Sequence, residues 1–209
     1  QQVPVIKDVL RAMHIEVIEK AGLEADDLLG TLSHRCEEKG MDVSIISGDR
    51  DTLQLATEHI KIRIPKTKQG KTEVEDYYAA DVVERYQVTP KEFIDVKALM
   101  GDSSDNIPGI PGVGEKTATK MIVQFGSIEN AHEHLEEVKP NKAKESLREH
   151  YDLAQLSKEL ATINTDSPLE FSYEKAKVEN PYTPEAYEMC KRLEFKNMLN
   201  RFDPATTAD

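Results

Sequence analysis

The sequence predicts an α/β core continued by an all-helical region, and three observations predict it. A β-branched run, Asp42 to Ser47 (DVSIIS), follows a helical stretch and ends on a turn. Ile60, Ile62 and Ile64 then alternate with Lys61 and Arg63, and the chain returns after Lys66–Gly70. Beyond residue 76 strand signals cease while helical spacing continues.

The elements follow in order. Val5, Ile6, Val9, Leu10 and Met13 recur at helical spacing, so residues 3–13 read as an amphipathic helix. Ile15 to Ile18 reads as a short strand, and residues 24–38 as a helix stopped by Gly40. The run at 42–47 reads as a buried, parallel strand. Gly48-Asp49-Arg50-Asp51 is a turn, with a short helix through Leu53 and Leu55 behind it. The segment 60–75 reads as a hairpin, apolar on one face and basic on the other. Thr89-Pro90-Lys91-Glu92 opens a helix with a capping box and Pro at its first position, and Phe93, Val96, Leu99 and Met100 follow. Residues 101–114, rich in Gly, Pro, Ser and Asp, form an ordered loop system. The rest, to about Phe202, reads as helices broken near Pro140, Pro168 and Pro181, with 203–209 (DPATTAD) a linker or tail. The domains expected are 1–100, 101–202 and the tail.

The 209 residues suit one large domain, or one with an appendage, and no apolar run approaches the ~20 residues of a membrane span. No secretory signal opens the chain. It starts on Gln1 and Gln2 without an initiator Met, which reads as an engineered boundary or a proteolytic end. Cys36 and Cys190 lie far apart and read as reduced core residues, in keeping with a reducing cytoplasm. The net charge of −12 argues at first sight against a nucleic-acid partner.

The position of the acids weakens that objection. Glu24, Asp26 and Asp27 open a helix, where Glu24 and Asp27 share a face; acids also favour a helix N-terminus through its dipole. Asp49 and Asp51 follow the strand at 42–47, where ligands of open α/β sheets bind, although Gly-Asp equally favours a plain turn. Asp102 and Asp105 end the helix carrying Phe93 to Met100. An EF-hand starting at Asp102 would need Gly and Glu where Ile107 and Val113 stand, so the calcium-loop reading fails. Seven carboxylates at element ends suit Mg²⁺ or Mn²⁺, and a pair of such ions is a standard device for phosphodiester cleavage. Setting these seven aside removes more than half of the net charge of −12.

Residues 107–118 (IPGIPGVGEKTA) bring Gly112, Val113 and Gly114 to the start of a helix bearing Lys116 and Thr117. Glycines admit close backbone approach to phosphate, and the helix N-terminus favours an anion. The pattern is that of a helix–hairpin–helix, which grips the DNA backbone without reading bases. It is neither a Walker P-loop nor a dinucleotide fingerprint; a plain Gly/Pro loop is the other reading. Lys61, Arg63, Lys66, Lys68 and Lys71 form a second basic feature, a DNA contact or the charged edge that discourages aggregation.

Taken in order, EADD, SGDRDTLQL, MGDSSDNIPGIPGVGEKTA and KRLEFKNML resemble the 5′-nuclease domain of bacterial DNA polymerase I, over essentially the whole chain. The resemblance implies the flap-endonuclease superfamily: a PIN-like α/β core with a parallel sheet, and a helix–three-turn–helix DNA-binding subdomain. It implies that Glu24, Asp26, Asp27, Asp49, Asp51, Asp102 and Asp105 bind two or more Mg²⁺ or Mn²⁺ ions, directly or through water. Gly112, Val113, Gly114, Lys116 and Thr117 would hold a branched or nicked duplex with a 5′ flap or 5′ end. A polymerase portion would follow on the intact chain, acting on nucleoid DNA in the bacterial cytoplasm. The family also opens with two Asp-bearing strands and a helical arch that these residues do not contain. The core is therefore expected to be incomplete at its N-terminus, and the chain to bind DNA better than it cuts it.

Two other classes were weighed. A non-catalytic DNA-binding fragment or paralogue would keep the clamp but has no reason to keep seven acids. A PIN-type ribonuclease would keep the acids but needs no clamp.

Overall fold

The computed structural model describes residues 2–203. The chain forms two compact units, Leu23–Ser167 and a second made of Gln1–Gly22 with Pro168–Asp209. In sequence order the helices are α1 (Val3–Ala12), α2 (Ala25–Glu38), α3 (Ala79–Tyr86), α4 (Pro90–Met100), α5 (Glu115–Phe125), α6 (Ile128–Glu133), α7 (Asn141–Glu149), α8 (Tyr151–Ala161), α9 (Pro184–Arg192) and α10 (Lys196–Leu199). The strands are β1 (Val43–Ile46), β2 (Ile60–Lys68) and β3 (Lys71–Tyr77).

Within the larger unit the strands form one mixed sheet in the order β1-β2-β3. The parallel pairing expected for β1 is present, Val43 to Ile46 facing Ile60 to Arg63, while β2 and β3 are antiparallel. The crossover from β1 to β2 is a 3₁₀ helix, Arg50–Leu55, rather than an α-helix. The expected buried strand at 42–47 is corrected: Ile45 is buried but Ile46, which strand alternation turns to the opposite face, is 69 % exposed. The hairpin extends further than its apolar residues indicated, with Gln69 and Gly70 at positive φ closing it. Three of its five basic residues, Lys61, Arg63 and Lys66, pair with acids of β3, while Lys68 and Lys71 at the tip are exposed. Arg63 pairs with Asp76 at 2.9 Å and Lys66 with Glu75 at 2.6 Å.

One apolar cluster of this unit unites Ile45, Leu53, Ile60, Ile62, Ile64 and Val82 under the sheet. Another gathers Val96, Leu99, Ile110, Val113, Met121, Ile122, Ile128 and Leu147 among α4 to α8. Tyr86 of α3 and Phe93 of α4 pack against both. The helix begins as the sequence indicates, with Thr89 Oγ1 accepting from Glu92 N–H and Pro90 in the first turn.

After α8 the expected helices do not continue at once: residues 162–183 are irregular. Side chains take the backbone donors there. Ile163 N–H donates to Gln54 Oε1 and Asn164 N–H to Asp27 Oδ1, each at 2.9 Å. Such partners replace the ladder that a helix would need.

In the smaller unit Val9 and Met13 of the α1 segment bury against Ala186, Cys190 and Phe202. The strand expected at Ile15–Ile18 is absent. His14 takes φ 55 and Ile15 N–H returns to Leu10 O, so the chain turns out of α1, and Ile15 packs on the cluster instead of pairing. Thr183 caps α9 through Ala186 N–H and donates its own hydroxyl to Ala12 O. Both cysteines are free thiols; Cys190 is buried and Cys36 half-buried. The expected tail falls mostly outside the described residues. Among the described residues no helix is long and apolar enough to cross a membrane.

Candidate metal centre and nucleic-acid interface

All seven predicted carboxylates belong to the larger unit, and chain geometry delivers them at three element ends. Glu24 is the N-cap of α2, in extended conformation, with Asp26 and Asp27 in the first turn. Asp49 caps the 3₁₀ helix by accepting from Asp51 N–H at 2.9 Å, which fixes both residues just past β1. Asp102 follows α4 and forms an isolated bridge with Ile107, leaving Asp105 in the turn between.

Electrostatics shows which of them converge. Burial pushes the Asp26 carboxyl above the usual carboxylate range, and the charges of Asp49, Asp51, Asp27 and Glu24 push it the same way. Burial likewise raises Asp51; the Lys97 ammonium opposes this, and Asp49 and Asp105 add to it. Asp102 goes the other way, held well below the usual range by bonds from Ser104 and then from Lys97. The first two clusters thus share one field, and Asp51 links them to the third.

Lys97 is the residue that sequence reasoning missed. It is 5 % exposed, and its ammonium pairs with Asp51, with Asp102 at 2.9 Å and with Asp105 at 3.4 Å. Burial alone would lower its pKa, but the bonds to Asp51 and Asp102 outweigh burial and raise it. A signal was present: Lys97 stands four positions after Phe93, on the apolar stripe of its own helix. A cation there needs a buried partner.

Among the described residues no group of three or more His, Cys, Asp or Glu forms a ready cation cage. The geometry explains this. A lysine ammonium stands among Asp51, Asp102 and Asp105, and Asp27 is bonded to the Asn164 N–H. In chemical type the set fits a hard divalent cation: all donors are carboxylate oxygens, and burial, followed by the charges of the neighbouring acids, raises Asp26.

The hairpin lies at the far end of the same loop. Gly112 takes φ 75, and Gly114 caps α5 without a side-chain bond to the first turn. Gly112, Gly114 and Lys116 are exposed and Thr117 is half-buried. Val113 is different: its side chain is buried in the helical cluster, so it anchors the turn and leaves contacts to its neighbours. Ser146 of α7 donates to Pro111 O at 2.6 Å and Ser157 of α8 accepts from Gly109 N–H at 2.9 Å, pinning the loop from two helices.

The comparisons agree with this arrangement. The family model described as "5′-3′ exonuclease, N-terminal resolvase-like domain" matches residues 1–87, and "5′-3′ exonuclease, C-terminal SAM fold" matches 88–184. DNA polymerase I of Bacillus subtilis is 45 % identical over 201 residues, 96 % of this chain and 23 % of that protein. DNA polymerase I of Bacillus caldotenax is 42 % identical over 209 residues, 100 % of this chain and 24 % of that one. The chain thus spans about a quarter of the length of the curated relatives it matches. A T5 5′-exonuclease structure with divalent zinc ions bound is 27 % identical, with a TM-score of 0.60, over 71 % of this chain and 53 % of that one. The catalytic core of Rad2 shares the fold, with a TM-score of 0.58 at 18 % identity over 91 % of this chain and 63 % of that one. The two family models, which together match residues 1–184, place this chain in the 5′-3′ exonuclease family, and it is similar to about a quarter of bacterial DNA polymerase I.

Proposed function

We propose that this chain is the 5′-nuclease portion of a DNA polymerase I-type protein, hydrolysing phosphodiesters of branched or nicked duplex DNA at a 5′ flap or 5′ end. The observation that supports it most is the loop 101–114, which carries Asp102 and Asp105 at one end and the glycine hairpin at the other. A duplex held at the hairpin is thereby held at a fixed span from the acids.

In this reading the exposed backbone at Gly112 and Gly114, the start of α5, Lys116 and Thr117 bind phosphates. Glu24, Asp26, Asp27, Asp49, Asp51, Asp102 and Asp105 would hold two or more Mg²⁺ or Mn²⁺ ions, which when bound supply an activated water and neutralise charge on the phosphodiester. Asp49 orders its own turn, and Val113 keeps the hairpin seated. A polymerase portion on the same intact chain, and action on nucleoid DNA in the bacterial cytoplasm, belong to the proposal.

The lysine among three of the acids favours one alternative, a DNA-binding segment without catalysis. A 5′-labelled flap duplex distinguishes them. Flap release with Mg²⁺ and none with chelator supports the nuclease. Salt-sensitive binding without release supports the alternative. A chain that neither binds nor cuts the duplex is neither.

A further inference from the structure

The carboxylates nearest the hairpin loop already have a cation of their own. Lys97 bonds to Asp51 and Asp102 and lies 3.4 Å from Asp105, one side chain from the 3₁₀ helix and two from the loop after α4. Another lysine, Lys158, reaches an acid of α4, Asp95, together with Glu129. The two pairs share no carboxylate, so Lys97 has no role in the Lys158 network. Asp102 and Asp105 have partly exposed side chains while Lys97 is buried, so a solvent cation can approach from the carboxylate side. A divalent ion held by these carboxylates would need the same oxygens and would face a like charge a few ångströms away, a strongly repulsive arrangement.

We infer that Lys97 is the resident counter-cation of Asp51, Asp102 and Asp105, and that a divalent ion enters this half of the site by displacing its ammonium. The inference rests on the metal-dependent reading above. The lysine holds the 3₁₀ helix to the loop after α4 when no metal is present, and sets a threshold concentration for the ion.

The test is Mn²⁺ binding to the metal-free chain, read from the electron spin resonance signal of free Mn²⁺, without DNA or turnover. Lys97→Met should bind at least one ion about tenfold more tightly than wild type, since a like charge is removed from the site. Lys97→Gln, which still hydrogen-bonds the carboxylates, serves if the Met variant does not fold. Lys97→Arg keeps the charge and should match wild type. Lys158→Met removes a comparable ammonium elsewhere on α4 and should also match it. Wild-type binding with no gain in either neutral Lys97 variant would overturn the inference alone. No Mn²⁺ binding by any variant would overturn the metal reading and the inference with it.

Discussion

Gly109 stands against Gly101 so closely that a Cβ added to Gly109 would meet the Gly101 nitrogen and lie 2.7 Å from its Cα. Both residues have positive φ, 61° and 72°, and Ile110 N–H completes the crossing by donating to Leu99 O at 2.9 Å. This contact fastens the carboxylate turn to the hairpin loop. Gly109→Ala should therefore destabilise the chain by about 3 kcal/mol, from backbone strain and a clash that no rotamer relieves. Urea unfolding followed by circular dichroism measures it. A loss below about 1 kcal/mol would show that the crossing is loose.

Asp95 is 3 % exposed and accepts from Ile128 N–H and the Lys158 ammonium, each at 2.9 Å. It ties α6 and α8 to α4. Asp95→Ala leaves a helix donor without its partner and costs about 3 kcal/mol, the low end for a broken buried pair because Lys158 retains Glu129. Comparison of melting curves for Asp95→Ala and Glu129→Ala checks the ranking: the first should fall much further.

Tyr77 donates to Glu75 Oε2 at 2.6 Å, and its phenol is pushed up to about 12, first by burial and then by that bond. A raised folded pKa contributes stability that is complete below the unfolded value of about 10 and lost as pH climbs to the folded one. Wild type should lose on the order of 2 kcal/mol between about pH 10 and 12 beyond what Tyr77→Phe loses. Parallel curves for the two proteins over that window would refute it.

Lys116 is exposed beside the glycine hairpin and has no neighbouring role in packing. If it meets a phosphate, Lys116→Ala should weaken duplex binding a few-fold and reduce the slope of log affinity against log salt by about 0.9. Fluorescence anisotropy across a salt series reads both. An unchanged slope would remove Lys116 from the interface.

Much of this was legible because it is written locally. The period of Val5 to Met13, the Thr89-Pro90 start and the alternating isoleucines of β2 each encode their own element, and the acids at 24–27, 49–51 and 102–105 fall at element ends visible by composition. What was not legible depends on partners distant in sequence. Ile15–Ile18 has strand composition but finds a helical cluster to pack on rather than a strand. Ile163 and Asn164 donate their backbone N–H groups to Gln54 and Asp27, more than 100 positions earlier. Arg63 and Lys66 of the hairpin are paired because β3 brings Asp76 opposite the first and Glu75 within reach of the second. Lys97 is the instructive case: its position on an apolar stripe announced that a partner must exist, but only the folded chain shows that three candidate ligands share it.

The sharing of Tyr86 and Phe93 between the two apolar clusters of residues 23–167 has a consequence for how that unit comes apart. Neither cluster can melt while the other keeps both rings in place. The sheet and the helices around α4 are coupled as one cooperative block, so the innermost amides of β2 and of α4 should exchange with solvent through the same opening event.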